Sequence, residues 1–195
     1  MAVTYSEMIE LGTHAPPFEL PAANPSVDAK GKDTRGLDDY DDAGTLVVVF
    51  TCNHCPYARH VEDVLIRMAH EYASRGVQFV AISSNDPEQY PDDSFESMSR
   101  RAEERNYPFP YLFDESQDVA LAYGAVCTPD VFVFNSDRKL AYRGRVDSTR
   151  PGSGTARGDE LRAALTELLE KGEVTVPQLP SMGCNIKWRT GKRPQ

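Results

Sequence analysis

The sequence predicts an α/β sandwich built around a mixed sheet, and three segments carry that expectation. Thr45 to Phe50 is an unbroken β-branched and aromatic run, the pattern of a strand buried on both faces. Val77 to Ile82 is a second such run, and the segment between them, Pro56 to Arg75, is helical. Two buried strands joined by a helix make a β-α-β unit with parallel strands. Further on, Val131 to Phe134 and Lys139 to Arg143 flank the turn composition Asn135-Ser136-Asp137-Arg138 and so form an antiparallel hairpin. Parallel and antiparallel pairs in one chain make the sheet mixed.

In chain order, residues up to about Gly44 form a turn-rich leading arm, punctuated by Ala15-Pro16-Pro17 and Asn24-Pro25, with a short strand around Phe18 to Leu20. The cluster Asp38, Asp39, Asp41 and Asp42 reads as a solvated turn, because a calcium loop sets its ligands on alternate positions around a Gly turn. Within Pro56 to Arg75, Val61, Leu65, Met68 and Tyr72 recur at spacings of four, three and four, one apolar helix face closed by Gly76. Between Ser83 and Phe113 lie the turn signals Asn85-Asp86-Pro87 and Tyr90-Pro91-Asp92-Asp93, a polar helix near Ser94 to Arg105, and a short strand within Tyr107 to Phe113. Ser116 to Tyr123 is helical and stops at Gly124. After the hairpin, Asp159 to Lys171 places Leu161, Leu165, Leu168 and Leu169 on one face. The 195 residues suit a single domain, with 1–44 and 173–195 as extensions of it.

Charge narrows the partners. Twenty-one Lys and Arg against thirty Asp and Glu leave a net charge of -9, a field that repels nucleic acid and anionic lipid. The longest plain apolar stretch, Leu46 to Phe50, is far too short for a membrane span. Glu7 and Glu10 precede the first basic residue, Lys30, which is not the pattern of a secretory presequence, so a cytoplasmic location is expected. The end of the chain is locally basic: no acidic residue follows Glu173, while Lys187, Arg189, Lys192 and Arg193 do. That reads as a frayed, solubilising tail, with a docking patch for an acidic partner as the alternative.

The four cysteines, at 52, 55, 127 and 184, do not make a disulfide-stapled scaffold. Cys52-Asn53-His54-Cys55 begins two residues after a buried strand and directly precedes a helix. There, unsatisfied backbone N–H groups and the helix dipole favour a thiolate, which is expected to lower the pKa of Cys52 and make it a nucleophile for disulfide exchange. Cys55 then lies within reach to resolve a mixed disulfide. His54, between the two sulfurs, either adds positive charge to that site or faces solvent. His60 and His70 read as surface residues. A zinc site would need a second close Cys/His pair, and Cys127 and Cys184 are isolated. No Gly-rich phosphate loop follows a strand, since Gly152-Ser153-Gly154 is a short loop in the wrong place, so no bound organic cofactor is expected.

Taken together, these segments resemble the thioredoxin fold and, more narrowly, the peroxiredoxin-like redoxins of the alkyl hydroperoxide reductase/thiol-specific antioxidant group. Leu11-Gly12-Thr13-His14-Ala15-Pro16-Pro17-Phe18-Glu19-Leu20 is similar to the redoxin opening G-x-x-A-P-x-F-x-L. The strand, Cys-X-X-Cys and helix follow, then Tyr123-Gly124-Ala125-Val126-Cys127-Thr128-Pro129 ahead of the hairpin. The resemblance implies that Pro129 is cis and lies against the cysteine pair, with Thr128 offering backbone groups to an extended substrate strand. It also implies that Cys127 lies near the pair, as a buried small side chain or as a third redox thiol. Pro180 to Trp188 looks like the ending of a peroxiredoxin-like subgroup, with Cys184 in a short Gly-containing turn. Cys184 is there either a resolving thiol folded back over the site or part of a tail anchored by Ile186 and Trp188.

Two departures from the family patterns stand out. Peroxiredoxins present their peroxidatic cysteine in Pro-x-x-x-Thr-x-x-Cys. Counted back from Cys55 those positions hold Val48 and Cys52, and from Cys52 they hold Thr45 and Val49. Thioredoxins carry an acidic residue in the strand before the pair, whereas Thr45 to Phe50 has none, so the proton acceptor for Cys55 is unassigned. The expected function is thiol–disulfide exchange by Cys52 and Cys55 with another dithiol or disulfide protein. The alternatives are a thiol peroxidase using Cys52 or Cys55 and resolved by Cys127 or Cys184, and a non-enzymatic metal or cluster carrier built from Cys52, Cys55 and Cys127.

Overall fold

A computed structural model describes residues 3–192 of the chain. Its strands are β1 (Val3–Tyr5), β2 (Glu19–Pro21), β3 (Thr34–Gly36), β4 (Thr45–Phe50), β5 (Val77–Ser83), β6 (Tyr111–Phe113), β7 (Cys127–Thr128), β8 (Asp130–Phe134), β9 (Leu140–Gly144) and β10 (Met182–Asn185). Its α-helices are α1 (Pro56–Ala73), α2 (Phe95–Glu104), α3 (Asp118–Tyr123) and α4 (Asp159–Lys171). The central five-stranded sheet has the order β6-β5-β4-β8-β9. β4 pairs parallel with β5 and antiparallel with β8, so the sheet is mixed as the sequence predicts.

The continuous apolar run of β4 is explained by what covers it. Val47 and Val49 face the core shared with α1, α2 and α4, including Val64, Leu65, Met68, Met98, Leu161 and Leu165. Leu46, Val48 and Phe50 face the other core, where Phe18, Leu20, Ala120, Tyr123 and Ile186 meet them. Each such side chain, fully removed from water, contributes about 1.5–3 kcal/mol. β4, buried along its whole length, ends at Phe50, and the cysteine pair begins two residues later. α1 ends at Ala73, a little before the expected Arg75.

The two extensions meet each other. β10 lies between β1 and β7 in a separate three-stranded antiparallel sheet, with Val3 opposite Cys184 on one side and Cys184 opposite Thr128 on the other. The short turn expected around Cys184 is therefore a strand. Nor is the basic segment frayed as far as Lys192. The backbone N–H and C=O of Lys187, a buried residue, bond to Asn85 and Asp86, and its Nζ donates to Asn185. Arg189 pairs with Glu115 at 3.3 Å and Lys192 with Asp118 at 2.5 Å. These cations lie against acidic groups of the same chain, and the tail is held by the Lys187 bonds and by the packing of Ile186 and Trp188. Arg193 lies outside the described residues. No helix among the described residues is long and apolar enough to cross a membrane.

Candidate functional site

Cys52 and Cys55 sit at the C-terminal end of β4 and the N-terminus of α1, where Pro56 occupies the first helical position and Cys55 is the N-cap. The helix's positive end thus meets Cys55, one turn further along than the expected Cys52. Opposite the pair, the Thr128–Pro129 peptide is cis. Cys52 Sγ lies 3.4 Å from the Thr128 hydroxyl, and the Cys55 thiol donates to the Thr128 carbonyl at 3.2 Å. Cys52 keeps 5% of its surface exposed and Cys55 none, so whatever reaches the pair from outside meets Cys52 first.

The electrostatics differ from the expectation for Cys52. Burial pushes its thiol well up, reinforced by the hydrogen bond with Cys55 and by the Asp93 carboxyl. The hydrogen bond from Cys52 draws Cys55 down to about 4, against the opposing effect of burial. The two sulfurs therefore share a proton, and the pair ionises as a unit: once below the ordinary thiol range and once above it.

A buried acid supplies what the apolar β4 lacks. Asp93, which the sequence presents only as part of a turn, lies in the short 3-10 turn Pro91–Asp93 and is fully buried. Its Oδ1 accepts from the Asn53 N–H at 2.8 Å, and its Oδ2 accepts from Asn85 Nδ2 at 2.7 Å and from His54 Nδ1 at 2.5 Å. His54 accordingly turns inward, with its ring stacked on Tyr90 and its buried Nε2 without a hydrogen-bond partner among the described residues. Cys52, His54 and Asp93 each bring a donor atom within 4.8 Å of the other two, a set that could also hold a metal ion. Cys52, Cys55 and Cys127 form no such group among the described residues. No sequence spacing announces Asp93 or Asn85, since both come from the long segment after β5.

The other two cysteines separate. Cys127, fully buried, donates weakly to the Pro129 carbonyl at 3.7 Å, and burial pushes its thiol well up. Cys184 belongs to a small cluster with Cys52, Cys55, Ala58 and Tyr57. Ile186 and Trp188, beyond it, pack on the second core, so the tail is anchored and its cysteine faces the site. The backbone edge at Thr128, expected to receive a substrate strand, is already paired with β10. Among the predicted surface histidines, His60 is half-buried and bonded to the Thr149 hydroxyl at 2.8 Å, whereas His70 is exposed.

The sequence pattern of the AhpC/TSA family matches residues 11–143, well over half of the chain. The chain belongs to the AhpC/TSA family. This AhpC/TSA protein is similar to an uncharacterized conserved protein from Geobacillus kaustophilus, at 48% identity over 98% of each chain, with a TM-score of 0.90. It is also similar to a hypothetical protein from Sinorhizobium meliloti, at 41% identity over 96% of this chain and 100% of that one, TM-score 0.90. With a putative thiol:disulfide interchange protein DsbE from Chlorobium tepidum it shares 19% identity over 83% of this chain and 99% of that one, TM-score 0.62. That last likeness is one of fold, and it makes the fold of this AhpC/TSA protein thioredoxin-like. No functionally curated protein matches the chain.

Proposed function

We propose that this protein is a thiol–disulfide oxidoreductase in which Cys52 and Cys55 cycle between dithiol and disulfide. The observation that carries the reading is the placement of the pair between the N-terminus of α1 and the cis Thr128–Pro129 peptide, with the Thr128 hydroxyl 3.4 Å from Cys52. Of the two sulfurs sharing one proton, the one an outside disulfide can reach is the one that reacts, and that is Cys52. Its attack forms a mixed disulfide, and Cys55 then displaces the reduced partner to leave Cys52–Cys55. The Thr128 hydroxyl donates to the Cys52 sulfur while it is anionic. His54, oriented by Asp93 and with a ring nitrogen within 4.8 Å of the Cys52 sulfur, is the nearby base and acid of this reading for the proton that the pair sheds and regains. The electron donor or acceptor in this reading is another dithiol or disulfide protein, and the site works without a bound cofactor or metal. Dithiol-dependent reduction of a protein disulfide tests it: Cys52→Ser abolishes the activity, and full activity in that variant overturns the reading.

A second reading, thiol peroxidase, is favoured by one observation. β10 is paired along Thr128 and Cys52 keeps only 5% of its surface exposed, a narrow opening that suits a molecule the size of hydrogen peroxide. The second-order rate of thiol loss with peroxide decides between the two. A rate near that of an ordinary thiolate supports disulfide exchange, and one orders of magnitude faster supports the peroxidase.

A further inference from the structure

The strand that fills the Thr128 edge brings its own cysteine. In the β10–β7 ladder Cys184 is the residue directly opposite Thr128, the first residue of the cis peptide, whose carbonyl accepts from Cys55. Its approach is set by Gly183: a Cβ there would stand 1.9 Å from the Thr128 carbonyl oxygen and 2.6 Å from its carbon. Only a glycine lets the strand lie so close, and that closeness seats Cys184 in the same small cluster as the pair. The seat is held from both sides, by β1 before it and by Ile186 and Lys187 after it. The position is the one where an extended partner strand would present its cysteine to the pair.

We propose that Cys184 is a third redox thiol of this site, and that it attacks the Cys52–Cys55 disulfide at Cys55. The proposal rests on the dithiol reading of Cys52 and Cys55. In this step the Cys184 sulfur bonds to the Cys55 sulfur, the Cys52–Cys55 bond breaks with its electron pair passing to Cys52, and the proton from Cys184 ends on Cys52. One disulfide is exchanged for another, so no outside oxidant or reductant enters. Cys52, the sulfur with surface, returns as a thiol while the oxidation is stored inside as Cys55–Cys184.

The surroundings of Cys184 suit the timing. While the pair is reduced, burial and then the hydrogen bond with Cys55 push the Cys184 thiol up to about 12, so it is a poor nucleophile. Once Cys55 is part of a disulfide, both that hydrogen bond and the charge on Cys55 vanish. Burial remains, offset by the nearby Lys187 ammonium. The thiol is thus held back until there is a disulfide to attack.

Peptide mapping tests the step on the unmodified protein. The reduced chain is oxidised with oxidised glutathione, quenched in acid at intervals, alkylated and digested with trypsin. Cys52 and Cys55 then fall in residues 36–59, Cys127 in 106–138 and Cys184 in 172–187. The expected result is an early bridge within 36–59, followed by one joining 36–59 to 172–187 with Cys52 alkylated. The Cys52→Ser variant, which has no partner for Cys55 within its own peptide, is expected to lose two thiols together and give the same inter-peptide bridge. If Cys184 is alkylated in every oxidised molecule of both proteins while the bridge within 36–59 forms normally, the proposal is overturned and the dithiol reading stands. If no bridge forms within 36–59 at any time, the dithiol reading itself fails, and this step with it.

Discussion

Adding a single methyl group at Gly183 probes how β10 is seated. In Gly183→Ala the new Cβ meets the Thr128 carbonyl oxygen at 1.9 Å, where an ordinary contact would be longer by well over an ångström. Neither neighbour yields easily, because Thr128 leads into the cis peptide and β10 is held on both edges. Overpacking of this kind costs about 1–3 kcal/mol, which in a domain of this size lowers Tm by roughly 2–12 °C. If the strain is relieved by lifting β10 off β7, the population with the strand open rises by the same free energy, about 5- to 160-fold. Timed alkylation read by mass reports this directly, since Cys184 and Cys55 are 3% and 0% exposed in the closed state. Both are expected to label faster in the variant by a factor in that range. An unchanged Tm together with unchanged labelling of Cys184 and Cys55 would refute the close seating of β10 against Thr128.

Three further outcomes follow from the same geometry. Arg143 and Asp130 form a fully buried ion pair behind the cis peptide, and Arg143→Met is expected to cost about 3–5 kcal/mol in chemical denaturation at pH 8. Burial already raises the Asp130 carboxyl, and without its cation it binds a proton more tightly folded than unfolded, so the loss shrinks as pH falls from 8 towards 5; a loss that grows instead would contradict this. Because Cys55 is drawn down to about 4 by the hydrogen bond from the thiol of Cys52, thiolate absorbance at 240 nm should show close to one thiolate at pH 6, and Cys52→Ala, which removes that donor, should lose it. Asp93→Asn keeps an acceptor for the Asn53 N–H but not the His54 partner, and is expected to slow exchange roughly 10²-fold with an altered pH profile. A variant with the wild-type pH profile would remove His54 and Asp93 from proton transfer.

How much of this was legible in the sequence depends on whether the signal was local. β4 agrees with the reading residue for residue, because an unbroken run of six strand-forming residues has few other ways to be satisfied, and α4 likewise carries its own periodicity and caps. β10 was not legible. Met182-Gly183-Cys184-Asn185 has neither alternation nor a β-branched residue, and its pairing with β1 and β7 is set by partners far away in the chain. The basic tail was misread for a related reason. Its charges have no partner nearby in the sequence, because the acids that pair with them, Glu115 just before α3 and Asp118 at its start, lie some seventy residues earlier. The cysteine pair and Pro129 were visible because they come as a motif with its flanking elements. Asp93 was not, since a buried acid and a turn acid look alike until the fold brings one of them to a histidine.

The most direct measurement of the central claim is a trapping experiment with Cys55→Ser. The variant is mixed with a disulfide-containing protein, quenched in acid, and the linked peptides are identified by mass. The account predicts a stable mixed disulfide on Cys52, absent from the wild-type protein, where Cys55 resolves it. Attachment through Cys127 or Cys184 with Cys52 left free, or no mixed disulfide at all while the wild type still reduces the same substrate, would contradict it.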